Sequence, residues 1–232
     1  MGESEGKLFI VSTPIGNLGD ITYRAVEILK QVPLIAAEDT RHSKKLLNHY
    51  GINTPLISYF EHNRFTRIPK IIVHLNNGRD LAVITDAGTP GISDPAYKLV
   101  REALANNIYI EAIPGASASL AALVSSGLPT DKFLFEGFLP PKKGRKGRIS
   151  KVKDSEATLI YYESPKRLQR TLKNLLEELG DRPAVVAREL TKIHEEIKRG
   201  TLSELLSYFT AKSPKGECVI LVGKDDPNVY FK

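Results

Sequence analysis

The sequence predicts an α/β protein built as two domains, and three observations predict it. Short apolar runs alternate with longer segments of helical spacing, the pattern of a largely parallel sheet covered on both faces. Each run ends in a loop rich in glycine, proline or charge. After Gly127-Leu-Pro129 the texture changes, because the apolar Phe133-Leu-Phe-Glu-Gly-Phe-Leu139 leads into Pro140-Pro-Lys-Lys-Gly-Arg-Lys-Gly-Arg148. The expected domains are residues 1–120, an N-terminal α/β domain, and residues 121–232, a C-terminal α/β domain with a basic loop at 140–153.

In chain order, Lys7-Leu-Phe-Ile-Val-Ser12 is a strand that runs into Thr13-Pro-Ile-Gly-Asn-Leu-Gly-Asp20, and Val26, Leu29 and Val32 give the next segment its helical spacing. Gly16-x-x-Gly19 lacks the third glycine of the dinucleotide fingerprint, so a tight turn explains it equally well. Pro33-Leu-Ile-Ala-Ala-Glu-Asp39 is a second strand ending in two carboxylates, followed by a helix opened by Thr40-Arg-His-Ser43. Leu56-Ile-Ser-Tyr-Phe60 repeats the pattern, with Glu61, His62, Asn63 and Arg64 after it and a helix through Ile68, Ile71, Ile72 and Leu75. The strand from Asp80 to Thr85 ends in Asp86-Ala-Gly-Thr-Pro-Gly-Ile-Ser-Asp-Pro95, where Asp94 then Pro95 reads as cap then first helical position. A strand from Ile108 to Ile113 leads through Pro114-Gly-Ala-Ser-Ala-Ser119 into a helix over 120–125. Right-handed crossovers then bring all five polar loops to one sheet edge.

In the second half, Thr158-Leu-Ile-Tyr-Tyr162 and Pro183-Ala-Val-Val-Ala-Arg188 read as strands, with a helix from Leu168 to Leu179 between them. A helix from Leu202 to Phe209 and a strand from Cys218 to Val222 complete it. Glu195, Glu196, Lys198 and Arg199 read as a solvated surface, and strand alternation should send Tyr161 and Tyr162 to opposite faces.

The longest apolar runs are far short of the roughly 20 residues that span a bilayer, so no membrane association is expected. Met1-Gly-Glu-Ser-Glu5 carries no signal-peptide pattern, and the single cysteine, Cys218, points to a reducing cytoplasm. The net charge of +6 is uneven: residues 140–232 carry +7 and residues 1–139 carry −1. Seven basic residues and no acidic one lie between Lys142 and Lys153, which fits either a solvated mobile loop or contact with a polyanion. The five histidines show no metal-ligand spacing, and neither a phosphate-binding P-loop nor a nucleophile elbow occurs, so no metal is expected. What remains is a site made of backbone-rich loops, suited to a nucleoside-containing cofactor.

Six segments together, Thr13–Asp20, Ala37–His42, Asp86–Pro95, Ile113–Ala118, Tyr162-Glu-Ser-Pro-Lys-Arg167 and Arg188-Glu-Leu-Thr-Lys192, resemble those of the bacterial ribosomal RNA small subunit cytidine 2′-O-methyltransferases, within the tetrapyrrole-methylase-like superfamily. The resemblance covers residues 7 to about 224. It implies S-adenosylmethionine as cofactor, two α/β domains with the cofactor in the cleft between them, a homodimer, and a cytidine ribose of small-subunit ribosomal RNA as methyl acceptor. By position it implies cofactor contacts at Ile15, Gly16, Gly88, Thr89, Pro90, Ile92, Ser117 and Ala118, and at Tyr162, Arg188 and Gly216.

A ribose hydroxyl is a poor acid, so a base or a charge that stabilises the developing alkoxide should help. Candidate bases are Asp39, Glu61, Asp86, Glu163, Glu189 and His62; candidate stabilisers are Arg41, Lys166, Arg167 and Arg188. Asp39 and Arg41 serve equally well as a local pair or helix cap. Lys142, Lys143, Arg145, Lys146, Arg148 and Lys166 are the expected RNA contacts. Two other readings stay open: methylation of a small molecule or protein residue within the same superfamily, and an RNA-binding assembly factor without catalysis.

Overall fold

The computed structural model describes residues 6–212 and 214–231, and the chain divides into two compact units, one up to Ser117 and one from Ala118. The first unit alternates strand and helix throughout: β1 (Leu8–Val11), α1 (Tyr23–Gln31), β2 (Ile35–Ala37), α2 (Thr40–His49), β3 (Leu56–Ser58), α3 (Arg64–Asn76), β4 (Leu81–Ile84), α4 (Ala96–Ala105) and β5 (Ile110–Ile113). Its strands pair in the order β3-β2-β4-β1-β5, each pair parallel.

Period-two alternation sorts the side chains into two cores. Phe9, Val11, Ile35, Ala37, Ala82 and Ile84 face Ala25 and Leu29 of α1 and Leu47 of α2. Leu8, Ala36, Leu81 and Val83 face Ile71, Ile72 and Leu75 of α3 and Leu99 and Ala103 of α4. A sheet buried on both faces explains why these strands are apolar without interruption. Truncating fully buried Leu29 to Ala should cost roughly 2–5 kcal/mol. Because all five strands run the same way, their C-terminal ends and the loops that follow lie along one edge.

The second unit comprises α5 (Ala118–Ser126), β6 (Phe133–Phe138), α6 (Arg145–Ser150), β7 (Thr158–Glu163), α7 (Pro165–Leu179), β8 (Pro183–Arg188), β9 (Glu196–Thr201), α8 (Leu202–Ala211) and β10 (Cys218–Val222). Its order is β6-β7-β10-β8-β9, parallel only between β6 and β7. Leu168, Leu172, Leu175 and Leu179 of α7 join Leu202, Leu205 and Phe209 of α8 over one sheet face, with Tyr161 and Cys218 among them. Burial pushes the Cys218 thiol up to about 12, so it is inert core.

Two sequence expectations are corrected here. The charged run around Glu196 to Arg199 is the edge strand β9, not merely a solvated face, and Arg199 reaches back to the carbonyls of Ser125 and Ser126. Charge on an edge strand blunts pairing with other chains, which is why it reads as surface in the sequence. The basic loop is not an open loop: Arg145–Ser150 is helical. Among the described residues no helix is long and apolar enough to cross a membrane.

Candidate active site

Three loops at the C-terminal edge of the first unit are zipped together by main chain. Thr13 N–H donates to the Gly88 carbonyl at 2.9 Å, and Gly88 N–H returns the bond to Thr13 at 3.1 Å. Ser12 N–H donates to the Ile113 carbonyl, the Ser12 and Thr89 hydroxyls lie 3.0 Å apart, and Thr89 Oγ1 donates to the Ala116 carbonyl at 3.2 Å. Ends of β1, β4 and β5 therefore share one polar floor. Gly88 has φ +83°, and a Cβ there would touch Ile15 at 3.4 Å and the Ala116 carbonyl at 3.5 Å. At Gly115 a Cβ would fall 2.8 Å from the Ser12 Cβ, closer than packing tolerates, so glycine lets these two loops meet. Ile15 and Pro90 are buried in this floor, while Gly16 and Ile92 are exposed on it.

Beyond that floor Asp94 accepts from the Gly91 and Ala96 N–H groups, and Ser93 sits at φ +72°, a strained conformation for a side-chain-bearing residue. Helix α4 begins at Ala96, so Pro95 is the cap position, one residue later than the sequence suggests. Burial pushes the Asp94 carboxyl up.

The acidic candidates on this edge have structural partners. Asp39 caps α2 by accepting Arg41 N–H at 2.8 Å, which, with the Arg41 side chain, holds its carboxyl below the usual range. Arg41 lies 3.5 Å from Asp39 and is otherwise exposed. Glu61 is ion-paired with Arg64. Asp86 accepts Asp39 N–H at 3.1 Å, and burial pushes its carboxyl up. Thr85 Oγ1 donates to Glu38 at 2.6 Å, tying β4 to β2. Ser12, Glu38 and Gly115 were not singled out from sequence. Glu38 and Gly115 lie within the family-resembling segments Ala37–His42 and Ile113–Ala118, and Ser12 only ends the first strand.

On the second unit, Glu163 overturns one candidate role. Its side chain is fully buried and accepts from Arg145 Nη2 at 2.9 Å, Arg167 Nη2 at 2.6 Å, Thr171 Oγ1 at 2.6 Å and Ser164 N–H at 2.8 Å. Burial alone would raise this carboxyl, but these bonds hold it below the usual range. Both oxygens are occupied, so Glu163 is not a base, and Arg167 is committed to it. Arg145 is 3% exposed and also bonds Thr171, Asn174 and the Pro140 carbonyl; a buried guanidinium with these four partners is not available to RNA. Lys146 pairs with Glu177 and Glu178, and Arg148 with Glu136. Of the basic stretch, Lys142, Lys143, Lys151 and Lys153 are exposed and form no ion pair among the described residues, as is true of Lys166 on α7.

Tyr162 faces away from Tyr161, packs edge-on against Phe135 and Phe138, and its hydroxyl accepts Ser119 N–H at 3.2 Å. Arg188 ends β8 bound to Glu196 at 2.5 Å. Glu189 and Thr191 follow at φ +50° and +66°, with Lys192 bridging Glu189 and Glu217. Gly216, at φ +81°, leaves room for the Glu189 carboxylate 2.1 Å from where a Cβ would sit. Strain concentrated in two of the six motif segments, at Ser93 and at Glu189 and Thr191, marks them as more than connections.

Residues 7–206 match the family described as Tetrapyrrole (Corrin/Porphyrin) Methylases, a span that contains all six segments. The chain is 52% identical to the ribosomal RNA small subunit methyltransferase I of Synechocystis sp., over 94% of this chain and 79% of that protein. It is 48% identical to the protein of the same name from Thermotoga maritima, over 95% and 100%. In fold it is similar to the uroporphyrin-III-C-methyltransferase of Thermus thermophilus, with a TM-score of 0.68 at 18% identity over 94% of each chain. The chain belongs to the tetrapyrrole (corrin/porphyrin) methylase family, with the ribosomal RNA small subunit methyltransferases I, and is an S-adenosylmethionine-dependent methyltransferase.

Proposed function

We propose that the chain methylates the 2′-hydroxyl of a cytidine in small-subunit ribosomal RNA. The observation that carries this reading is the 52% identity, sustained over 94% of the chain, to a relative named for methylation of that RNA.

The floor of the first unit fits the cofactor. Glycine at 88 and 115 lets these loops close on one another into a floor of main chain, which offers apolar surface at exposed Ile92 beside the hydroxyl of Thr89. When bound, S-adenosylmethionine supplies an electrophilic methyl carbon on a sulfonium centre. The contribution of Ile15, Gly16, Gly88 to Ile92, Ser117 and Ala118 is to hold the donor rigidly, since an in-line displacement is accelerated chiefly by alignment. Burial pushes up the carboxyls of both Asp86 and Asp94, but Asp94 spends both oxygens on the Gly91 and Ala96 N–H groups whereas Asp86 accepts Asp39 N–H at Oδ1, so Asp86 is the acidic group on this edge that we assign to take the hydroxyl proton. Lys142, Lys143 and Lys166 are exposed charges of the second unit that phosphates can meet. The family resemblance further supports a homodimer, which sedimentation would test, and a cytoplasmic setting, where small ribosomal subunits are found.

Incubating unmodified small ribosomal subunits with label-bearing methyl donor and mapping the labelled nucleotide tests the reading. Label on one cytidine ribose oxygen is expected. Label on a base atom, or none in RNA, would overturn it.

A further inference from the structure

Helices α3 and α4 pack side by side on one face of the parallel sheet, and their solvent side is not that of an ordinary exposed helix pair. Phe65 is 75% exposed and Tyr97 50% exposed. Together with Ile68, Pro69, Val73 and Arg101 they line an open groove of about 780 Å³. Large rings held in water beside a groove mark a surface built for contact.

Charge there is one-sided. α3 carries Arg64, Arg67 and Lys70 and no carboxylate; α4 carries Lys98 and Arg101 against Glu102. Arg64 is matched by Glu61, whereas among the described residues Arg67, Lys70, Lys98 and Arg101 form no ion pair. The near-neutral charge of residues 1–139 conceals this, because their carboxylates lie outside this face apart from Glu61 and Glu102, six of the fourteen being in the strand-end loops.

Rings and cations are also interleaved. The Arg64 guanidinium carbon lies 4.5 Å from the Phe65 ring centre and the Lys98 ammonium 5.3 Å from that of Tyr97, so a base stacked on either ring would bring its phosphate near a cation.

We infer that the α3–α4 groove holds a single-stranded segment of the RNA substrate, separate from the nucleotide that is methylated. The inference rests on the reading of ribosomal RNA as substrate. A second copy of this chain is the poorer occupant, since a twofold contact of this patch with itself would set its cations against one another. Helix α2 supplies an internal control: it carries Arg41, Lys44 and Lys45 and no carboxylate, but no exposed Phe or Tyr.

The test compares three double variants with the parent: Lys70→Glu with Arg101→Glu, Phe65→Ala with Tyr97→Ala, and the control Lys44→Glu with Lys45→Glu. Affinity for small-subunit RNA is titrated at several salt concentrations, with thermal unfolding, S-adenosylmethionine titration and sedimentation alongside. Both groove pairs should weaken RNA binding about tenfold or more, the charge pair reducing the salt slope by about 2 and the ring pair leaving it unchanged. Unfolding and cofactor affinity should not change, and the control should lose less than about threefold. RNA affinity within about twofold of the parent in both groove pairs, or an equal loss in the control, would overturn the inference. So would a shift in sedimentation in the groove variants, which would make the occupant a second copy. If the parent methylates small subunits while the groove variants bind RNA normally, this inference alone fails. If the parent neither binds nor methylates RNA, the substrate reading fails and takes the inference with it.

Discussion

Two proline- and glycine-rich segments, Asp86–Pro95 in the first unit and Pro140–Arg148 in the second, look alike in sequence and are built in opposite ways. The first is held by main chain: Gly88 exchanges two backbone bonds with Thr13, and glycine admits the neighbouring loop. The second is held by side-chain charge, with Arg145 driven into the interior to meet Glu163, Thr171 and Asn174. A floor made of backbone leaves its surface free for a ligand. A clamp made of ion pairs consumes the groups that looked reactive, so residue type alone misleads about which segment does chemistry.

The largest test of that contrast is Glu163→Ala. Stranding the buried Arg145 guanidinium, with the partly exposed Arg167 beside it, should cost roughly 3–5 kcal/mol, read by denaturant unfolding. A loss under about 1 kcal/mol would return the carboxylate to the list of possible bases.

The pH dependence of the second unit sharpens the same point. Partial burial works against ionisation of Glu196, but Tyr208, Arg188 and Lys212 bind its carboxylate and draw it from 4.5 down to about 2. A depressed carboxyl gives stability that is complete above the unfolded value and is lost as pH falls from 4.5 towards 2. The parent should therefore lose more thermal stability than Glu196→Gln between about pH 5 and about pH 3. Parallel losses would contradict the assignment.

A smaller effect is expected at Gly88→Ala, where the left-handed backbone costs about 1–2 kcal/mol and the added methyl makes only ordinary contacts. No change in midpoint would mean that the loop relaxes, and the idea of a rigid floor would weaken. Least of all for stability is Lys142→Ala with Lys143→Ala, within about 0.5 kcal/mol. That pair should instead lower the salt slope of RNA binding by about 2, and an unchanged slope would remove these lysines from the RNA surface.

Much of the first unit was legible because parallel strands declare themselves locally. Apolar runs at Leu8, Ile35, Leu81 and Ile110, each closed by a polar loop, fix both the sheet and the edge on which a site must lie. Strand β9 was hidden by its charge, as edge strands are. The fate of Arg145 was not legible at all. It is one of seven similar basic residues until the fold brings Glu163, Thr171 and Asn174 around it, and nothing local distinguishes it from Lys146. Glu163 and Arg167, one helical turn apart, could have been paired on spacing, but their burial depends on that same long-range partner. The cationic face of α3 and α4 was masked because charge was summed over half the chain rather than over a surface.

The measurement that bears most directly on a backbone-built cofactor floor is calorimetric titration of S-adenosylmethionine into Gly115→Ala, with unfolding followed in parallel. A Cβ 2.8 Å from that of Ser12 forces the two loops apart, so affinity should fall about tenfold or more while the variant remains folded. Parent-like affinity in a folded Gly115→Ala protein would contradict the account and move the cofactor away from these loops.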